Sequence, residues 1–157
     1  MRGKTQSVHL AKMMQRHKFY PEYELVLPLL LVKKNSLKKL SKGNVLLLGD
    51  DSLNLKLLKD DVLCGNVKIE ESTNSRVIKI MDIEEYTVKT TNSKKYEPLK
   101  CSFSFLQSRV FEVGHKIDIS SINLEKVNLF LDNKKVAEGT LVNVDEEIAI
   151  EITKADL

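Results

Sequence analysis

The sequence predicts a mainly β protein made of two similar small units, on three observations. Apolar residues alternate with polar ones over most of the chain after Val45, short polar clusters interrupt that alternation as turns, and the second half repeats the order of glycines, turns and apolar positions of the first. At 157 residues with 42% hydrophobic side chains the chain holds enough apolar surface for a core, so disorder of the whole is excluded.

Residues 1–21 carry five basic side chains (Arg2, Lys4, Lys12, Arg16, Lys18) and no acidic one, whereas the remaining 136 hold 20 basic and 22 acidic. The net charge of +3 therefore sits in an N-terminal basic arm or weakly amphipathic helix that ends before Pro21. The run Leu25 to Val32 reads as a buried or edge strand that Pro28 limits to an edge or bulge. "NSLKKLSKG" reads as a helical turn with Ser36 as cap, Leu37 and Leu40 on one face and Gly43 at its end. "VLLLG" from Val45 reads as a short buried strand, and Leu53, Leu55 and Leu57 alternate before the turn Lys59-Asp60-Asp61. Val62 to Ile69 and Val77 to Ile80 complete a first unit spanning 22–83.

Residues 84–98, rich in Thr, Asn, Ser and Lys, read as a linker with one strand near Tyr86 to Thr90. The second unit, 99–157, is all strand and turn: Phe103 and Phe105 alternate with serines, Ile117 and Ile119 flank Asp118, and Val127, Leu129 and Leu131 alternate. Asp132 to Lys135 and Asp145 to Glu147 are turns, and Ile148, Ile150 and Ile152 alternate.

Superposing the halves pairs Leu40, Gly43, Leu46 and Leu48 with Phe111, Gly114, Ile117 and Ile119 at an offset of 71. Leu53, Leu55 and Leu57 match Val127, Leu129 and Leu131 at 74, and that offset also brings Gly65 onto Gly139. Ile78 and Ile80 match Ile150 and Ile152 at 72. Four of the six glycines thus fall into pairs: Gly43 and Gly114 are expected to close a turn before a strand, and Gly65 and Gly139 to mark a bend or a close approach of backbone.

On these residues the chain resembles a known family. "DNKKVAEGTLVNVDEEIAIEI", with Asn133, Val136, Ala137, Gly139, Val142, Val144, Ile148 and Ile152 in register, is similar to the SpoA (surface presentation of antigens) domain. That domain forms the C-terminal part of the flagellar motor-switch proteins FliN and FliM and of type III secretion cytoplasmic-ring proteins. Glu138 and Glu147 depart from the family pattern, and the helical turn expected before Gly114 is shortened to "LQSRVFEVG". The first unit resembles the more divergent first SpoA domain of ring proteins that carry two, so the resemblance covers roughly Leu25 to Leu157.

The resemblance implies two SpoA-type units interlocked by strand exchange into a barrel-like or saddle-shaped pair, within one chain or between two. It implies a non-enzymatic structural component of a flagellar motor switch or type III secretion ring, located in the cytoplasm or at the cytoplasmic face of the inner membrane. Its partners would be other ring proteins and the export ATPase-regulator (stator) protein, in a homo- or hetero-oligomer, and the family's hydrophobic docking patch falls on Leu141, Val142 and Asn143.

The residues themselves ask for no catalysis and no cofactor. His9, His17 and His115 sit near no acid and nucleophile at suggestive spacing, and the Asp50-Asp51 and Asp60-Asp61 pairs lie in turns. Neither phosphate-loop lysine nor metal-ligand spacing is present, and Cys64 and Cys101 read as reduced buried thiols. No apolar run approaches the length of a membrane span, so membrane association would be peripheral at most. The reading of a different class is a small nucleic-acid- or ligand-binding β-barrel with a basic arm, which steep salt dependence of nucleic-acid affinity would distinguish. The ring reading expects no nucleic-acid binding.

Overall fold

The computed structural model describes residues 20–49, 53–60, 62–87 and 95–155, with side chains described for all of these except 85–87. The N-terminal arm before Tyr20, Asp50, Asp51, Asp61 and residues 88–94 of the expected linker lie outside the described residues. The elements in order are β1 (Glu22–Val26), β2 (Leu30–Lys33), α1 (Lys34–Lys38), β3 (Val45–Leu47), β4 (Leu55–Lys59), β5 (Val62–Glu71) and β6 (Arg76–Thr87). The second half follows with β7 (Tyr96–Gln107), β8 (Lys116–Asp118), β9 (Lys126–Leu131), β10 (Lys134–Val144) and β11 (Glu147–Ala155).

The strands form one antiparallel sheet in the order β3-β11-β10-β9-β7-β1-β4-β5-β6-β8, with β2 pairing β7 beside this path. The sheet is open and does not close into a barrel. Its order reads the same from either end once β1 is matched with β7, β4 with β9, β5 with β10, β6 with β11 and β3 with β8. The outermost strands are exchanged: β3 of the first half pairs with β11 of the second, and β8 of the second pairs with β6 of the first. Each end of the sheet is thus built from both halves, and neither half has a complete set of strands without the other.

The register repeats as closely as the order. Leu55, Leu57 and Lys59 of β4 oppose Val67, Gly65 and Val62 of β5, while Val127, Leu129 and Leu131 of β9 oppose Gly139, Ala137 and Lys134 of β10, each residue 72 positions later. The same offset carries Val67–Ile80 and Ile69–Ile78 onto Gly139–Ile152 and Leu141–Ile150. Cys64 and Val136, also 72 apart, are the extra residues of matching β-bulges. At the exchanged strands the Gly43 N–H donates to Ile152 O at 2.8 Å and the Ile152 N–H to Asn44 O at 2.8 Å. Their counterparts are Gly114 N–H to Ile80 O at 2.7 Å and Ile80 N–H to His115 O at 2.9 Å.

The repeat therefore holds at offsets of 71 and 72, and the expected offset of 74 in the middle stretch is overturned. Gly65 corresponds to Ala137, and Gly139 corresponds to Val67. The two glycines still have one physical property in common. A Cβ at Gly65 would lie 2.3 Å from Asp82 O, and one at Gly139 would lie 2.8 Å from Glu151 O, so at each the next strand's backbone comes too close for a side chain. Gly43 and Gly114 have φ of +95° and +89°, the left-handed turn each needs before its exchanged strand.

The core runs through both halves. Leu25, Leu55, Leu57, Ile78 and Ile80 of the first pack in one cluster with Leu99, Ile119, Leu129, Ile150 and Ile152 of the second. Across the centre Val26 opposes Ser102, and the pairs Leu30–Leu99 and Tyr23–Leu106 repeat on either side of it. Pro28 falls where β1 breaks from β2, whereas β7 passes the matching place as one strand with a bulge.

Several local expectations shift. β3 is an edge strand with Val45 and Leu47 exposed, because burial on both faces needs a second layer that its position at the sheet's end does not have. The helix starts one turn earlier than expected, with Lys33 at its N-cap, no side-chain cap and Ser36 inside it, although Leu37 and Leu40 are buried together. Phe103 is buried and Phe105 exposed despite their spacing of two, because the irregular register opposite Leu25 and Val26 turns the strand between them. β6 extends to Thr87 and β7 begins at Tyr96, so the described parts of 84–98 are largely strand.

Candidate apolar docking face

The docking patch read from the sequence lies on β10, and the strand period separates its residues. Directly opposed residues of an antiparallel ladder share a face, and neighbours along a strand alternate. Leu141 opposes Ile150, which opposes Leu46, and this row points into the core. Val142 opposes Ala149, which opposes Leu47, and this row points outward. Asn143 returns to the inner side at the hairpin end, beyond the core, where it is exposed.

The outward row is therefore Val142, Ala149 and Leu47, with Val45 beside Leu47 on β3 and Val144 two residues along β10 from Val142. Leu47 is 55% and Val45 44% exposed. Ala149, which stands between Leu47 and Val142 in this row, is buried. The tight hairpin Asp145-Glu146, with φ of 49° and 68°, fixes this register: a two-residue turn with both residues left-handed matches the twist of paired strands. Beyond Thr140 the face becomes ionic, with the Glu138 carboxylate accepting from Lys135 Nζ and standing 3.6 Å from Lys126 Nζ. Its hydrogen bond from Lys135 holds the Glu138 carboxyl below the usual range. The face is thus an apolar centre with a charged border.

The repeat supplies an internal comparison. The residues matching Val142, Ala149 and Leu47 are Glu70, Val77 and Asp118, and those matching Thr140, Glu151 and Val45 are Lys68, Lys79 and Lys116. At that end Lys116 Nζ lies 3.0 Å from Glu70 Oε2, and this hydrogen bond lowers the Glu70 carboxyl's pKa. Asp118 is lowered too, by hydrogen bonds from the side chain and backbone of Ser120. One architecture thus carries a charged surface at one end and an apolar one at the other. The fold does not require Leu47 and Val142 to be apolar.

Leu47 and Val45 were not found as patch residues in the sequence because they lie almost a hundred positions from Val142 and reach it only by strand exchange. The available signal was "VLLLG" itself: a short run of consecutive apolar residues on a strand must place some of them outward unless both faces are covered.

Among the described residues, no group of three or more His, Cys, Asp or Glu is placed to hold a metal ion. Asp60 sits in a hairpin turn with φ of 51°. Of the two cysteines expected to be buried, Cys101 is, and burial pushes its thiol up to about 12, whereas Cys64 is half-buried and its Sγ donates to Val62 O at 3.5 Å. No helix among the described residues is long and apolar enough to cross a membrane. No family model matches the chain, and no curated protein matches its sequence. By fold it is a mainly β protein of one open antiparallel sheet with an internal repeat.

Proposed function

We propose that the chain is a non-enzymatic structural component of a bacterial flagellar motor switch or type III secretion cytoplasmic ring. In this reading two SpoA-type units, interlocked within one chain, assemble with ring partners and dock the export ATPase-regulator protein. The observation that carries it is the pairing of reciprocal strand exchange with an outward row, Val142, Ala149 and Leu47, that is apolar where its counterpart row at the other end carries Glu70 and Asp118. An interlocked pair of small β-units is what the family resemblance implies, and an apolar face that the fold itself does not need is what partner docking requires. Leu47, Val142 and Val45 form the docking surface, with Ala149 at its floor; Leu141 supports it from the core, and Asn143 borders it.

The test is affinity capture of the full chain from the native cytosol. Recovery of ring proteins and an export-apparatus regulator supports the reading. Recovery of nucleic acid instead, with affinity that falls steeply as salt rises, overturns it in favour of a nucleic-acid-binding β protein.

A further inference from the structure

We infer that the outward side of β2 and the start of β7 docks on an anionic phospholipid membrane, with lipid phosphates at a lysine-lined cavity and Leu29 and Leu31 inserted beside them. The inference is independent of the ring reading and shares no residue with the Val142–Leu47 face. Lys33, Lys34 and Asn35, where β2 runs into α1, line a cavity of about 380 Å³ together with Lys95 and Tyr96. The backbone fixes this junction: Lys33 opposes Tyr96 in the ladder, and the Lys34 N–H donates to Lys95 O at 2.9 Å. Lys34 Nζ stands 3.7 Å from Glu97 Oε1, too far for a hydrogen bond, and the cavity keeps a net positive charge. Lys38, Lys39 and Lys42 extend that charge, so residues 33–42 hold five lysines and no acidic residue.

The cavity borders an exposed apolar surface. Leu31 and Lys33 lie two apart on β2 and share its outward side, with Leu31 opposite Pro98. Leu31 is 54%, Leu29 42% and Tyr96 38% exposed, whereas Leu30 and Val32 of the same strand pack on the core. The repeat shows that the fold requires neither feature. The pair matching Leu31–Pro98 is the polar Gln107–Glu22. The offset between the halves also falls from 76, at Leu30 and Leu106, to 71, at Gly43 and Gly114, so the first half has five extra residues where α1 stands.

Charge and its apolar neighbours name the occupant. Clustered lysines call for anionic oxygens, but a free phosphate ion would gain nothing from exposed leucines, and a single-stranded nucleic acid is met by stacking aromatic rings rather than aliphatic chains. An anionic membrane matches the whole surface: lysines at headgroup level, aliphatic side chains below them and a tyrosine ring at the interface.

The experiment is co-sedimentation of the full chain with vesicles of phosphatidylcholine alone and with about 30% phosphatidylserine. The wild type is compared with Lys33→Glu/Lys95→Glu and with Leu31→Ser, with and without inorganic phosphate. All three side chains are exposed, so the fold stands, and an unchanged urea midpoint verifies it. The expected result is wild-type binding at least about tenfold stronger to the anionic vesicles, weakened about tenfold or more in the lysine variant and about fivefold in Leu31→Ser, with no competition by millimolar phosphate. Equal binding to both vesicles overturns the inference, as does a lysine variant that binds like the wild type, because the basic arm alone would then carry the attraction. Full binding by Leu31→Ser overturns the insertion, and displacement by inorganic phosphate overturns the membrane in favour of a free anion.

Discussion

Replacing Gly65 with alanine tests the close strand approach that the repeat isolates. The added Cβ would stand 2.3 Å from Asp82 O and 3.3 Å from Phe111 Cζ, so β6 must retreat by about 1 Å to restore ordinary contact. Asp82 is a backbone neighbour in the β5–β6 ladder, opposite Asn66, and no side-chain rotation relieves the clash. Overpacking of this kind costs about 1–3 kcal/mol, and a weakened ladder hydrogen bond adds about 1 kcal/mol. Alanine's smaller unfolded-state entropy returns only about 0.4–1 kcal/mol, for a net loss of about 2–3 kcal/mol. In urea denaturation, with a slope near 2 kcal/mol/M, the midpoint falls by about 1–1.5 M while the slope is unchanged. The matching substitution Ala137→Gly, at a position where the second half accepts a methyl group, costs only about 1 kcal/mol. A Gly65→Ala protein that melts like the wild type would refute the assignment of Gly65 to a backbone approach.

Three further outcomes follow from the same geometry. Lys100 Nζ meets Glu24 Oε1 at 2.9 Å in a largely buried pair near the centre of the sheet. Glu24→Leu alone should destabilise by about 1–3 kcal/mol, allowing for the partial exposure of Lys100, whereas Glu24→Leu/Lys100→Met should return to within about 1 kcal/mol of the wild type in a double-mutant cycle. Burial raises the Cys101 thiol from 9.0 to about 12, so the folded state holds a proton that the unfolded chain releases above about pH 9. Stability is therefore full below that pH and falls at up to about 1.4 kcal/mol per pH unit as pH rises toward 12, and Cys101→Val should remove this part of the slope in urea titrations at alkaline pH. Residues 99–157 expressed alone lack β6 for β8 and β3 for β11, so sedimentation should show self-association or aggregation; a stable monomer would contradict the exchanged architecture.

The alternation of the second half, the turns at Asp60, Asp132 and Asp145, and the left-handed glycines Gly43 and Gly114 were legible in the sequence because each is a local property: side-chain period or backbone sterics. The middle of the repeat was misaligned by two residues, and the reason is physical. A shift of two along a strand keeps every side chain on its face, so apolar alternation cannot tell an offset of 74 from one of 72. The similarity of Gly65 and Gly139 favoured the wrong one. Bulges were equally hidden: nothing local marks Cys64 and Val136 as extra residues, or Phe103 and Phe105 as facing opposite ways. The candidate face was half legible. Val142 could be read from its own strand, but Leu47 belongs to the face only through exchange of β3, a pairing that local pattern does not encode.

The most direct measurement of the proposed function compares capture of partners from native cytosol by the wild type, by Val142→Lys and by Glu70→Lys. Both substitutions place a lysine on the outward face at matching ends of one fold, and Glu70→Lys also removes the ion pair with Lys116, so it perturbs its own end at least as much as Val142→Lys does and is a stringent control. The expected result is that ring proteins and the export regulator are recovered by the wild type and by Glu70→Lys, and lost at least tenfold with Val142→Lys, a difference of about 1.4 kcal/mol or more. Equal recovery by all three proteins would contradict docking at the Val142–Leu47 face.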